Sequence, residues 1–154
     1  MITVYQDIIS DEEIKEFLDY YQKHIEEEFL RVDKVYVFKS INIIDHINEF
    51  KFLRRLRYTN YDRIRIQHVD NKLDMLLEPH RHTPPYSFIV FLNDDYEGGE
   101  LFMDNITFKP KKGQLIYFTG DEPHYVNNVT KGDRYTLVGF TVDKNLNLNY
   151  LNII

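Results

Sequence analysis

The chain has no cysteine, and that one absence removes several chemistries together. There is no disulfide framework, no thiolate zinc site, no iron–sulfur cluster and no cysteine nucleophile. Tryptophan and alanine are missing too, the latter a sign of coding bias rather than of function. Positive charge is in the minority: 19 Lys and Arg stand against 25 Asp and Glu, for a net charge of −6. That balance argues against a nucleic-acid backbone or an anionic membrane as the main partner. No apolar run approaches the roughly 20 residues of a membrane-crossing helix. The opening Met1–Asp7 lacks the basic and apolar stretches of a secretory leader, so a cytoplasmic protein is expected.

What remains is a chain of 154 residues, 43% hydrophobic and 29% charged, sized for one domain with one core. Ser10-Asp11-Glu12-Glu13 is a capping box, with a hydroxyl at the N-cap and a carboxylate three residues on. Ile14, Phe17, Leu18, Tyr21, Ile25 and Phe29 recur at helical spacing after it, which predicts an amphipathic helix over residues 11–29. Val35 and Val37 suggest a short strand. Residues 41–57 carry a second helical pattern, with Ile44, Ile47, Leu53 and Leu56 inward. Arg54, Arg55 and Arg57 lie near its C-terminal end, where cations suit the helix dipole.

The texture changes after residue 60. Arg63–His68 alternates with period two, as does part of Lys72–Glu78, and Asp70-Asn71 supplies a turn between them. Tyr86–Leu92 is continuously apolar, as expected of a strand covered on both faces. Further short strands are expected at Glu100–Met103, Ile106–Phe108, Leu115–Phe118 and Tyr135–Val142. The pattern predicts an α+β domain spanning 1–154: a helical buttress over 1–59, a β-sandwich or barrel over 60–143 and a tail over 144–154. The tail, with leucines and asparagines alternating, suits an edge strand or a pairing surface.

Two constellations carry chemistry. His80 and His82 are two residues apart, so on a strand they share a face, and His124 can reach the same point from a return strand. Imidazole suits iron, zinc, copper and nickel, although each of these histidines could equally sit in a turn. His24 and His46 fall in helical patterns and carry no such signal. Arg134 opens an apolar strand with Thr136 as its same-face neighbour. A buried guanidinium needs an anion, and one flanked by a hydroxyl could hold a carboxylate. An ion pair with a neighbouring Asp or Glu would serve it as well. Tyr96, Tyr117 and Tyr125 could line a pocket or fill the core.

Ser87-Phe88-Ile89-Val90-Phe91-Leu92-Asn93-Asp94-Asp95-Tyr96-Glu97-Gly98-Gly99-Glu100-Leu101 resembles the central segment of prolyl-4-hydroxylase-like Fe(II)/2-oxoglutarate oxygenases. Lys111–Phe118, His124 and Gly132–Thr136 resemble the downstream half, and Asp7–Glu13 the start of the first helix. The resemblance implies a double-stranded β-helix, a jelly-roll or cupin-like barrel, buttressed by two N-terminal helices. It implies Fe(II) in a His-x-Asp/Glu…His triad and 2-oxoglutarate as cosubstrate, with ascorbate as auxiliary reductant. The implied reaction hydroxylates a peptidyl side chain, such as prolyl, or a small molecule, and releases succinate and CO2. No catalytic side chain beyond the metal ligands is implied. On this pattern His80 is the first ligand, His124 the distal one, and Arg134 with Thr136 the clamp on the cosubstrate. The chain departs from the pattern where His82 stands at the carboxylate position. A different alignment uses the literal His68-Val69-Asp70 with His124. Cupins fit in part through His80, His82, His124 and Asn128, which describes a three-histidine metal protein without 2-oxoglutarate. A barrel that has lost its metal and serves only for binding is the third reading.

Overall fold

The computed structural model describes residues 2–32, 37–56, 59–73, 86–109 and 111–143. Strand β1 (Ile2–Tyr5) leads to helix α1 (Asp11–Lys23), and the capping box forms as its sequence dictates. Ser10 Oγ accepts the Glu13 N–H at 3.1 Å, and the Glu13 carboxylate accepts the Ser10 N–H at 3.1 Å. Phe17 and Tyr21 on the apolar stripe are fully buried.

The helix ends earlier than the periodicity predicts. His24 closes it, its Nδ1 against the Tyr20 carbonyl and its ring stacked on Tyr20. Ile25–Glu27 is a single 3-10 turn, and strand β2 (Phe29–Val32) follows. Ile25 and Phe29 are 46% and 68% exposed, so their helical spacing is accidental. Pairing of Phe29 with Ser40 and of Leu30 with Lys39, on β3 (Val37–Asn42), draws this segment into the sheet instead. The second helical pattern is corrected in the same way. Ile41 belongs to β3, and the Asn42 side chain accepts the Ile44 N–H to break the chain. A 3-10 segment (Ile44–Glu49) and the short helix α2 (Lys51–Arg55) complete the region. Arg55 does not stay at the surface: it donates to Glu13 at 2.8 Å and to the Ile8 carbonyl at 3.3 Å. Arg54 donates to the Asn48 carbonyl, so both arginines hold the N-terminal layer together; Arg57 lies outside the described residues.

The remaining strands are β4 (Tyr61–Asp70), β5 (Tyr86–Phe91), β6 (Glu97–Gly98), β7 (Leu101–Met103), β8 (Ile106–Phe108), β9 (Leu115–Thr119), β10 (His124–Val126), β11 (Val129–Lys131) and β12 (Asp133–Thr141). A seven-stranded antiparallel sheet runs β1-β9-β5-β12-β4-β3-β2; β10-β7-β8 and β11-β6 form smaller ones. Residues 1–59 are therefore not a helical buttress alone, because they contribute three strands to the main sheet.

Strand alternation sorts the large sheet into two faces. Ile64, Ile66, Phe88, Val90, Leu115, Tyr117 and Leu137 pack with Phe17, Tyr21, Phe52 and Leu53 beneath the helices. Ile89, Phe91, Ile116, Phe118, Val138 and Phe140 point the other way and pack against Leu101 and Met103 of the small sheet. The inter-sheet face is the interior of the barrel. The expected C-terminal edge strand at 145–154 and most of the Lys72–Glu78 alternation lie outside the described residues.

Candidate active site

Arg134 and Thr136 occupy alternate positions at the start of β12, on the inter-sheet face with Val138 and Phe140. Arg134 is 3% exposed and Thr136 fully buried. The Arg134 guanidinium lies over the Phe91 ring, 5.6 Å from its centroid, which accounts for its apolar wall but not for its charge. Among the described residues no carboxylate pairs with it, although Asp and Glu are abundant nearby in sequence. Arg134 Nε and Thr136 Oγ1 are both buried without a hydrogen-bond partner.

The backbone on either side of Arg134 is pinned by a side chain to which the sequence alone assigns no role. Asn93, just after β5, donates to the Asp133 carbonyl at 2.7 Å and accepts the Tyr135 N–H at 2.9 Å. One carboxamide thus brackets Arg134. Gln67 was also missed. It stands opposite Thr136 in the β4–β12 register, is 5% exposed and leaves its Nε2 without a partner. The alternation of Arg63–His68 signalled its place on one face, but nothing in sequence tells which face is interior.

His124 opens β10, paired with Met103 of the inter-sheet core. It is 5% exposed, with Phe118 edge-on to its ring at 4.9 Å. Its Nδ1 lies 2.7 Å from the Glu122 carbonyl, which can only accept, so Nδ1 carries a proton and donates to it. Fixing one ring nitrogen on a carbonyl is how metal-ligating histidines are commonly oriented. His80 and His82 lie outside the described residues.

The alternative pair, His68 and Asp70, does come together, but with Asp133 rather than with His124. Ligand atoms of these three lie within 4.8 Å of one another. His68 Nε2 is 2.8 Å from Asp133 Oδ1, and its ring stacks on Tyr135 at 4.4 Å and meets Tyr21 of α1 edge-on. Tyr21 also hydrogen-bonds Glu28, and burial with that carboxylate beside it pushes the phenol well up. Burial favours the protonated form of Asp70, but the Lys72 N–H and the Lys39 ammonium outweigh it and hold the carboxyl below its usual range. In the β4–β12 register Tyr135 faces His68 and Asp133 faces Asp70, whereas Arg134 faces Val69 and Thr136 faces Gln67. The His68 group therefore lies on the helix side of the sheet, and Arg134 with Thr136 on the barrel side.

A sequence profile of the 2OG-Fe(II) oxygenase superfamily matches residues 56–142, more than half of the chain. The chain belongs to the 2OG-Fe(II) oxygenase superfamily. It is 36% identical over 96 residues to human prolyl 3-hydroxylase 2, a match that covers 49% of this chain and 13% of that protein. Its fold is that of a Pseudomonas putida prolyl-4-hydroxylase, with a TM-score of 0.67 at 14% identity over 94% of this chain and 93% of that one. A Trichoplax adhaerens prolyl hydroxylase, solved with a hypoxia-inducible-factor peptide fragment, gives 0.71 at 13% identity over 93% and 84%. The structural likenesses establish the double-stranded β-helix fold, and the profile match makes the oxygenase superfamily, not the cupins, the family of this chain.

The residues present fit the dicarboxylate cosubstrate of this superfamily. A buried guanidinium with an unpartnered Nε and a buried, unpartnered hydroxyl, on one face of one strand, are what a carboxylate requires. The three tyrosines divide. Tyr117 is core and donates to the Asp143 carbonyl, and Tyr125 stacks on Phe102 on the outer side of the small sheet. Tyr96 alone approaches Arg134. Asn128, part of the cupin pattern, accepts the Gly99 N–H through its backbone carbonyl.

Proposed function

We propose that this chain is an Fe(II)- and 2-oxoglutarate-dependent oxygenase that hydroxylates a peptidyl side chain, prolyl in the first instance, and releases succinate and CO2. A small-molecule substrate is the other class considered. The observation that carries the reading is Arg134, a buried guanidinium with no carboxylate among the described residues and an orphaned hydroxyl two residues on. Those groups bind and orient the distal end of the cosubstrate and exclude water from it. The peptidyl class rests on the relatives: the human protein is a prolyl hydroxylase by name, and the Trichoplax enzyme was solved with a peptide.

His80, His82 and His124 are the proposed iron ligands. Bound iron would supply the oxygen chemistry, and His124 would contribute its Nε2 from a ring held by Glu122. The face argument supports this set, because a cosubstrate anchored on Arg134 lies on the opposite side of the β4–β12 pair from His68. The 4.8 Å convergence of His68, Asp70 and Asp133 favours a second reading, in which that trio holds the metal. Mn(II) binding separates the two: His82→Ala loses the ion under the first, His68→Ala under the second.

The test of function is succinate formation from 2-oxoglutarate with Fe(II) and ascorbate. His124→Ala and Arg134→Ala are expected to abolish it. Full turnover in both variants would rule out the site.

A further inference from the structure

We infer that Gln67 and Tyr96 complete the cosubstrate clamp, each donating a hydrogen bond to the distal carboxylate held by Arg134 and Thr136. The inference rests on the reading of that site as the 2-oxoglutarate site. Gln67 approaches from β4, directly across from Thr136. Its carboxamide lies on the inter-sheet face, where its strand neighbour Val69 packs with Phe38 and Val129, and its Nε2 is buried and unpartnered. A buried amide N–H with no acceptor is costly, and the cost is recovered when a bound anion supplies one.

Tyr96 approaches from the other side, out of the turn between β5 and β6. Two glycines make room for it. A Cβ at Gly99 would come within 2.9 Å of the Tyr96 ring and 3.0 Å of Arg134 Cδ, and one at Gly132 within 3.2 Å of Tyr96 Cβ. The ring is thus packed against these two glycines, and its buried hydroxyl lies beside the Arg134 guanidinium, which can donate to the phenol oxygen and leaves the O–H to donate onward. Burial pushes the phenol up to about 12 even against the pull of Arg134, so the group stays an O–H donor at neutral pH.

Charge and valence agree with one carboxylate. Its two oxygens offer about four acceptor sites. Arg134 Nε, Thr136 Oγ1, Gln67 Nε2 and the Tyr96 hydroxyl are four buried donor groups with no carboxylate or carbonyl acceptor among the described residues. Arg134 is the one cation among them, and it balances one negative charge; the other three recognise shape without adding charge.

The experiment is calorimetric titration of Mn(II)-loaded protein with 2-oxoglutarate and, separately, with pyruvate, a 2-oxo acid that has no distal carboxylate. Gln67→Leu and Tyr96→Phe keep the side-chain volumes and remove the donors. Each should weaken 2-oxoglutarate roughly tenfold, the size of one hydrogen bond to a charged group, with pyruvate affinity and melting temperature unchanged. Wild-type 2-oxoglutarate affinity in either variant removes that residue from the clamp. Equal weakening of both acids assigns it a merely structural role and overturns the inference. If Arg134→Ala loses 2-oxoglutarate while both variants keep it, only this inference falls. If the wild-type protein itself binds none, the reading of the site falls with it.

Discussion

Arg134 is the residue on which the functional reading turns, and Asn93 is the residue that places it. Through its two hydrogen bonds Asn93 ties the end of β5 to the backbone on both sides of Arg134. Asn93→Ala should lower stability by about 1–3 kcal/mol, the cost of orphaning those two groups, as read by urea denaturation. It should also weaken 2-oxoglutarate binding without touching the ligand. Asp70 supplies a pH dependence of known sign. Its carboxyl is held below the usual range, so its contribution to stability is present above the unfolded value of roughly 3.9 and is lost as pH falls through the lower folded value. Asp70→Asn should therefore flatten the acid limb of the stability curve below about pH 4, leaving the neutral region lower but level.

Helix α1 shows which part of an element a pattern can announce. The capping box fixed its start because that signal is local, a hydroxyl and a carboxylate three residues apart. Its end was not local. Ile25 and Phe29 continued the spacing, but β3 offered them a partner strand and the helix stopped at Lys23. The helix earns its place through Phe17, fully buried and stacked on Phe50 at 4.5 Å with 12° between the rings. Phe17→Ala should cost about 3–5 kcal/mol through lost burial and the cavity left behind. A drop in denaturant midpoint smaller than about 1 kcal/mol in equivalent would show that α1 is dispensable to the core.

At the scale of the whole molecule the helical layer and the barrel share one sheet. β1 pairs with β9 and β3 with β4, so cutting the chain at residue 60 exposes two sheet edges. It also uncovers the helix-side face formed by Ile64, Ile66, Phe88 and Val90. A fragment of residues 60–143 is expected to aggregate or to lack a cooperative urea transition, whereas the full chain unfolds cooperatively. Among the described residues no helix is long and apolar enough to cross a membrane.

The amino-acid sequence by itself determined the chemistry on offer: a cysteine-free chain with nitrogen and oxygen ligands, a capped first helix, an apolar strand at Tyr86–Phe91, and an Arg-x-Thr pair at the start of another. These were legible because each depends on neighbours in the chain or on residue type alone. Only the tertiary structure decided which groups meet. A period of two says that Gln67 and His68 point opposite ways, but the covering of one face by helices and the other by a small sheet sets which is interior. That choice sends His68 and Asp70 toward Tyr21 and Asp133, and Gln67 toward Thr136. Burial then bears on the two roles the sequence left open for Arg134: a surface guanidinium could pair with any nearby acid, but this one is enclosed between sheets with no carboxylate paired to it among the described residues, which is why its role is proposed to be ligand binding.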